Sequence, residues 1–321
     1  CPRPATSLLF AAKRDFPCVR STLSQSTRAM RLHLVDGTYE LFRAYYGAPK
    51  RSAPDGREVG ATLGLARSLI RLLSKEGATH VAVAFDHVVE SFRNELFAGY
   101  KTGDGIDPDL YAQFGLAEQI TVALGITIWP MVEFEADDAL ASAAELYGED
   151  PRVEQVLICS PDKDLMQCVS GTRIVSVDRR RDQTIDQQGV REKFGVEPES
   201  IPDWLALVGD KADGIPGIPR WGARSASAAL AAHHHWDQSP EDPSDWRFKV
   251  RGAASLAASL AAHRDQLPLY RTLATLRRDV PLSETLEQLE WRGALRTRLH
   301  SLLEDLGDRS LFSRIPRWMD A

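Results

Sequence analysis

The sequence predicts an α/β fold: a mostly parallel central sheet with flanking helices, followed by a smaller helical region. Three observations carry this. Short apolar runs rich in Val, Ile and Leu recur between Arg31 and Val177, as buried strands do. Stretches with apolar residues at helical spacing separate them, and alternating strands and crossover helices favour parallel pairing. Beyond about Pro202 the texture turns to Ala-rich helical segments broken by Gly and Pro, with no convincing strand.

In chain order, the strand-like runs are Arg31 to Val35, His80 to Phe85, Ile126 to Trp129, Val156 to Cys159 and Arg173 to Val177. Between the first two, Val59, Leu63, Ala66, Ile70 and Leu73 predict a helix that closes at Gly77. Between the next two, Leu110, Phe114, Ala117, Ile120 and Leu124 predict another, ending at Gly125. A helix-like piece lies near Leu165, and Arg179, Arg180 and Arg181 sit in a turn. In the second region, Trp236 to Trp246 reads as a solvated loop and Ala253 to Ala262 as a helix.

The chain has 321 residues, 43% hydrophobic and 26% charged, and no apolar run near eighteen residues. It can bury a proper core, and no segment is expected to span a membrane. The cysteines, Cys1, Cys18, Cys159 and Cys168, lack both the CxxC spacing of a zinc site and the density of a disulfide scaffold. A reducing interior is the expected setting. Residues 1–29 carry five Lys or Arg against one Asp and no clear apolar period. They are set outside the fold, read either as an over-extended upstream reading frame or as a basic, acid-poor transit peptide for organelle import. The net charge of −6 argues at first against a nucleic-acid partner, because phosphate binding normally leaves a basic footprint.

Ligands of parallel α/β sheets collect at the carboxyl ends of the strands, and the residues there are acidic. Asp36 follows LHLV, Asp86 follows VAVAF, and Asp162 with Asp164 follow VLICSP, while Glu135, Asp137 and Asp138 in FEADDAL open a helix. Any one of them also fits a turn or cap residue stabilised by a helix dipole. Seven carboxylates at one edge, however, would repel and raise one another's pKa unless cations held them. Hard oxygen ligands are what Mg²⁺ or Mn²⁺ select. Two such ions at about 4 Å activate a water and stabilise the leaving oxygen of a phosphodiester.

Further on, VGDKADGIPGI adds Asp210 and Asp213 ahead of a Gly-Pro-rich hairpin. With these, LVDGT, AFD, FEADDA, SPDKDLMQ and GDKADGIPGI stand in an order and spacing that resembles the bacterial 5′ nuclease family. Its members are the 5′-to-3′ exonuclease domain of DNA polymerase I and stand-alone flap endonucleases, and the resemblance covers essentially everything from Met30 onward. It implies a PIN-like or resolvase-like nuclease core followed by a helix-hairpin-helix (H3TH) region. Asp36, Asp86, Glu135, Asp137 and Asp138 match the first metal site of that family, and Asp162, Asp164, Asp210 and Asp213 the second. Asp36 and Asp137 carry the catalytic expectation. Removing these nine acids leaves a net of +3 on the rest of the chain, so the acidity belongs largely to the implied metal site.

The segment from Ser91 to Leu110, SFRNELFAGYKTGDGIDPDL, resembles the family's arch, which a single 5′ strand passes. Arg93 and Lys101 match its basic positions, with Lys101 expected on the scissile phosphate, and Tyr100 is a base-stacking candidate. Asp104 stands where many relatives carry Arg. The segment GIPGIPRWGARSASAAL resembles the family's hairpin, whose backbone N–H groups bind duplex phosphates without reading sequence. Gly217, Gly222, Arg224 and Ser225 fit it, and family members often hold K⁺ there. Arg220 and Trp221 replace the commoner Gly and Ile; Arg220 adds a further phosphate contact or weakens the ion site.

The run His233–His235 reads as solvated loop, and Arg179 to Arg181 either touch DNA or decorate a hairpin. The expected organisation is residues 30–201 as a catalytic domain with its arch at about 91–110, and 202–321 as the DNA-gripping region. The expectation is a stand-alone, monomeric, cytoplasmic and nucleoid-associated bacterial enzyme with no room for a polymerase. Its partner is flapped, nicked or 5′-ended duplex DNA. The rivals are a DNA-structure-binding protein with a decayed site, which the full set of acids disfavours, and a PIN-type ribonuclease, which the hairpin disfavours. No GxGxxG or GxxxxGK[ST] follows any strand, against a nucleotide-binding protein.

Overall fold

In the computed structural model, which describes residues 30–319, six strands form one sheet. They are β1 (Met30–Asp36), β2 (His80–Asp86), β3 (Thr127–Met131), β4 (Val153–Cys159), β5 (Ile174–Asp178) and β6 (Gln183–Ile185). Their order is β3-β2-β1-β4-β5-β6. The first five are parallel and β6 pairs antiparallel to β5. The chain steps outward from β1 to β3 and then returns to lay β4 on the other side of β1. A crevice therefore opens at the carboxyl end of β1, where strand order reverses. The readings of residues 1–29 lie outside the described residues.

The crossovers are α1 (Gly37–Gly47), α2 (Gly60–Ser74), α3 (Phe92–Leu96), α4 (Pro108–Tyr111), α5 (Phe114–Ala123) and α6 (Ala136–Gly148). The central strands β1, β2 and β4 are buried on both sides, which explains their unbroken apolar runs. Leu32, Leu34, Ala82 and Ala84 pack under α6, whereas Val81, Val83 and Phe85 pack under α2 and α5. The helix predicted over Leu110 to Leu124 is broken into α4 and α5. At the break, buried Gln113 accepts hydrogen bonds from Thr62 N (3.0 Å) and Thr62 Oγ1 (3.2 Å), tying the segment to α2. The piece near Leu165 is a 3₁₀ turn, Asp164–Cys168. Cys159 and Cys168 are buried free thiols.

Beyond β6 the chain is helical: α7 (Gln187–Phe194), α8 (Ile201–Val208), α9 (Ala223–His233), α10 (Ala253–Ala262), α11 (Leu267–Ala274) and α12 (Arg296–Asp305). A separate core gathers Trp204, Leu205, Leu207, Leu230, Leu267 and Tyr270. Trp236 and Trp246, the ends of the stretch read as solvated loop, are buried in it at 9% and 8% exposure, and Trp246 stacks on Phe248 with centroids 4.8 Å apart. The sequence reading fails there because the intervening Asp, Ser and Pro mask the two aromatic anchors. Past α11 the chain returns to the sheet. Leu276, Leu286 and Leu289 join the α6 face, and Trp291, Leu299, Leu303 and Leu306 join the α2 and α5 face. Among the described residues no helix is long and apolar enough to cross a membrane.

Candidate active site

Asp36 ends β1 and caps α1, accepting from Tyr39 N at 2.8 Å and from Ser160 Oγ at 3.0 Å. Asp86 ends β2; it accepts from Ala136 N at 2.8 Å, and its own N–H donates to Thr38 Oγ1 at 2.8 Å. Glu135 caps α6, whose first turn also carries Asp137 and Asp138. Asp162 and Asp164 follow β4, with Asp164 N donating to Asp162 Oδ1 at 3.1 Å. Asp210 and Asp213 arrive from the helical region, on a hairpin closed by two 2.8 Å backbone hydrogen bonds between Asp210 and Ile215.

Two glycines let that hairpin reach the sheet. Gly214 has φ +77°, and a Cβ there would lie 2.1 Å from the carbonyl oxygen of Gly99. Gly217 has φ +70°, and its Cβ would lie 2.5 Å from Gly209 N. Both are left-handed positions that favour glycine, with backbone as the obstacle. The close approach at Gly214 brings Lys101 N to the Asp213 carbonyl at 3.0 Å. Asn94 Nδ2 donates to the Lys101 carbonyl at 2.9 Å, so the lysine is held from both sides.

The result is a cleft of about 340 Å³ lined by Asp36, Asp86, Glu135, Asp137, Asp162, Asp213 and Lys101. Beside it, Asp164, Asp210 and Asp213 each offer an oxygen within 4.8 Å of the others. Eight of the nine predicted acids thus share one region. Burial and neighbouring charges shift these acids in opposite directions. Burial, then Asp86 and Asp162, push the Asp36 carboxyl up to about 7. Burial, then Asp36 and Asp162, raise Asp137 well above the carboxylate range. Burial, then Asp162, Asp213 and Asp210, do the same to Asp164, whose Oδ1 is buried without a hydrogen bond. Glu135 is the opposite case. Burial pushes it up, but the Lys101 ammonium at 2.7 Å and the Arg93 guanidinium at 3.1 Å more than reverse this and hold it at about 2.

Asp138 is the acid that stands apart. It is fully buried, its two oxygens take Arg93 in a bidentate pair at 2.7 Å each, and they accept from Arg277 N and Glu135 N as well. Arg93, expected on the arch surface, is fully buried. Its remaining donors reach Glu135 and the Leu273 and Thr275 carbonyls. A guanidinium with five donors satisfied inside the protein has none left for a phosphate. Tyr100 likewise is 5% exposed, with its hydroxyl 3.3 Å from Glu135 Oε2, so its ring is core rather than a free stacking face. Lys101 lies in the cleft with Nζ 3.1 Å from Asp213. Asp104 is exposed.

In the hairpin, Gly222 caps α9, with Ser225 Oγ accepting from Gly222 N at 3.0 Å and Arg224 exposed. Arg220 adopts φ +73°, which explains why glycine suits this position, and its guanidinium rests on Ser255 Oγ. Trp221 is buried and donates to the Leu256 carbonyl at 3.1 Å, anchoring the hairpin to α10. Arg179 separates from its neighbours: its side chain is 6% exposed and pairs with Glu40 and Glu76. It therefore neither decorates the hairpin nor faces outward. His233 is buried edge-on to Phe248 and His235 bonds buried Asp203 at 2.9 Å, whereas His234 is exposed, so only the middle of this run is solvated. The sequence reading missed Ser91, which donates to Glu135 at 2.7 Å, as well as Ser160, Thr38 and Lys163. Ser160 and Lys163 flank the acids in SPDKD, which was the available signal.

Such a fold and site define a class: α/β nuclease-type cores that gather carboxylates at one sheet edge beside a helical hairpin region. Within it, the chain belongs to the 5′-3′ exonuclease family. Residues 31–195 match the model of the 5′-3′ exonuclease N-terminal resolvase-like domain, and residues 196–297 that of the 5′-3′ exonuclease C-terminal SAM fold. DNA polymerase I of Mycobacterium leprae is 33% identical over 88% of this chain and 31% of its own length. That of Pseudomonas aeruginosa is 36% identical over 80% of this chain and 28% of its own. The chain spans about a third of the length of these relatives. The bacteriophage T5 flap endonuclease, solved with DNA and metal ions, superposes with a TM-score of 0.61 at 17% identity, covering 76% of this chain and 88% of that one. The catalytic core of Rad2, solved with a DNA substrate, gives 0.57 at 17%, covering 88% and 89%. At these identities the likeness is one of fold.

Proposed function

We propose that this chain is a structure-specific 5′ nuclease that hydrolyses DNA phosphodiester bonds at 5′ ends or flaps with two divalent ions. The observation that carries the reading is the convergence of eight carboxylates on one cleft and its flank. The raised proton affinities of Asp36, Asp137 and Asp164 and the unpartnered Asp164 oxygen suit hard divalent cations. Asp36, Asp86, Glu135 and Asp137 would hold the first ion, and Asp162, Asp164, Asp210 and Asp213 the second. When bound, the ions supply the charge that activates a water for in-line attack and stabilises the leaving oxygen.

The chain's own residues do the rest. Asp138 and Arg93 act as positioning residues, because their buried pair fixes α6 and the Glu135 carboxylate. Lys101, tethered at both backbone ends, presents its ammonium to the phosphate that enters the cleft, where it stabilises developing negative charge. The loop carrying Asp104 borders the path of the 5′ strand. Gly217, Arg220, Gly222, Arg224 and Ser225 hold the duplex backbone through α9's N-terminus and the Arg224 guanidinium, and the hairpin would also hold a K⁺ ion. Residues 30–201 together with Asp210 and Asp213 carry the chemistry, and the hairpin and helices that follow carry the grip, up to the return of the chain to the sheet past α11. Mg²⁺ is the proposed physiological ion, with Mn²⁺ as substitute, and the setting is a monomer in the bacterial cytoplasm.

The test is cleavage of 5′-labelled linear, flapped and RNA-containing duplexes in Mg²⁺, Mn²⁺ or EDTA. Products released from the 5′ side with either metal and lost in EDTA are expected. Cleavage that persists in EDTA overturns the reading, as does inertness on every substrate.

A further inference from the structure

Lys163 stands between two acids of the cluster, Asp162 and Asp164, and its ammonium reaches back to Asp210 Oδ2. Asp210 is 4% exposed, and its other oxygen already accepts from Ala212 N at 3.0 Å. Lys163 therefore holds the one Asp210 oxygen that is not tied to the backbone. Across the cleft, Lys101 Nζ bridges Glu135 at 2.7 Å and Asp213 at 3.1 Å. Each flank of the acidic site thus carries one ammonium. A lysine ammonium and a divalent ion seated on the same buried oxygen repel at contact distance, where the low dielectric screens poorly. The two cannot share it. The Lys163 side chain is 33% exposed and rides on a flexible four-carbon stem, so it has solvent to move into.

We infer that Lys163 is a resident counter-ion of the Asp164–Asp210–Asp213 group, which must leave Asp210 before a divalent ion binds there and so sets the affinity of the second ion. This rests on the two-ion reading above. Lys163 keeps the apo cluster from carrying its full negative charge, and that protection weakens the second site. Displaced, the ammonium swings from an internal carboxylate toward solvent and the phosphates entering the cleft. By linkage, DNA that accepts the released ammonium then favours occupancy of the second site, and the reverse.

The experiment is a Mn²⁺ titration of the full chain without DNA, followed by electron paramagnetic resonance of the free ion. It compares wild type, Lys163→Met, Lys163→Gln and Lys211→Met. Lys211 is exposed beside Asp210 and forms no ion pair among the described residues, so its removal reports the general loss of one nearby charge. Wild type should bind two ions unequally. Lys163→Met and Lys163→Gln should tighten the weaker site by about three- to fivefold, the upper scale of a partly exposed ion pair, and leave the tighter one within about twofold. Lys211→Met should change neither by more than about twofold, because exposed charges are screened. An unchanged or weaker second site in the Lys163 variants overturns the inference, as does equal tightening in Lys211→Met. Failure of both Lys163 variants to give a cooperative melt also overturns it, since the lysine would then be structural. If wild type binds no Mn²⁺ at all, the two-ion reading falls first and the inference with it.

Discussion

Asp36 shows how far a single residue could be read from its position. Its place after an apolar strand marks it as a strand-end acid, yet only the structure shows that burial lifts its carboxyl from 3.8 to about 7. A group whose folded pKa exceeds its unfolded one contributes stability that is fully present below the unfolded value and lost as pH rises through the folded one. Asp137 and Asp164, also raised, act in the same direction. Buried His33, lowered from 6.5 to about 4 mainly by burial, opposes them, but its effect is complete above its ordinary 6.5. In EDTA the melting temperature should therefore fall from pH 6.5 to about 8, as Asp36 titrates through its value of about 7. Mg²⁺ should raise it more at the upper end, because the ion binds the ionised acids. A melting temperature that climbs across this window in EDTA would mean that these carboxyls are not held in the neutral form. Arg93 was legible only as a basic residue. That all its donors turn inward depends on the Leu273 and Thr275 carbonyls, about 180 positions further along the chain, and no local pattern carries that information.

At the scale of elements, β1 to β5 were readable as apolar runs, whereas β6, a three-residue polar edge strand with two of its residues exposed, was not. The predicted His80 to Phe85 against the observed His80–Asp86 is typical. The break between α4 and α5 was not readable, because it depends on Gln113 bonding α2, a tertiary contact. Two elements support predictions. In the loop between α3 and α4, Asp104 is exposed and would repel a passing phosphate by roughly 1 kcal/mol at 4 Å in bulk water. Asp104→Arg should raise flap cleavage several-fold at subsaturating DNA, most at low ionic strength, since attraction replaces repulsion in a screened encounter. A neutral result at low salt would place this loop away from the DNA. At the start of α9, Arg224→Ala should weaken binding alike for all sequences and flatten the log–log salt slope by about one unit, as one lost phosphate contact requires. Filter binding across a salt series gives the slope, and an unaltered one would remove Arg224 from the backbone contact.

At the scale of the whole molecule, the helical region and the sheet are joined through the Asp210–Asp213 hairpin, through the hydrogen bonds of Arg93 and Gln167 to the end of α11, and through the return of the chain past α11. The return was invisible in the sequence, because its apolar residues are spaced by loops rather than by a helical or strand period. Trp291 is its anchor, 4% exposed, donating from its ring to the Leu124 carbonyl at 2.8 Å and from its backbone to Thr79 O at 2.7 Å. Trp291→Ala should cost about 3–5 kcal/mol, as large-to-small core changes do, read as a shift in the urea midpoint. A loss under about 1 kcal/mol would show that the return packs loosely. The central claim is a division of labour: carboxylates at the sheet edge cut, while the hairpin and α9 hold. The most direct measurement pairs flap-DNA affinity with single-turnover cleavage in Asp137→Ala, whose carboxylate lines the cleft on a different element from the hairpin. The account predicts that cleavage is abolished in Mg²⁺ while affinity stays close to wild type; cleavage that survives, or affinity that collapses along with it, would contradict it.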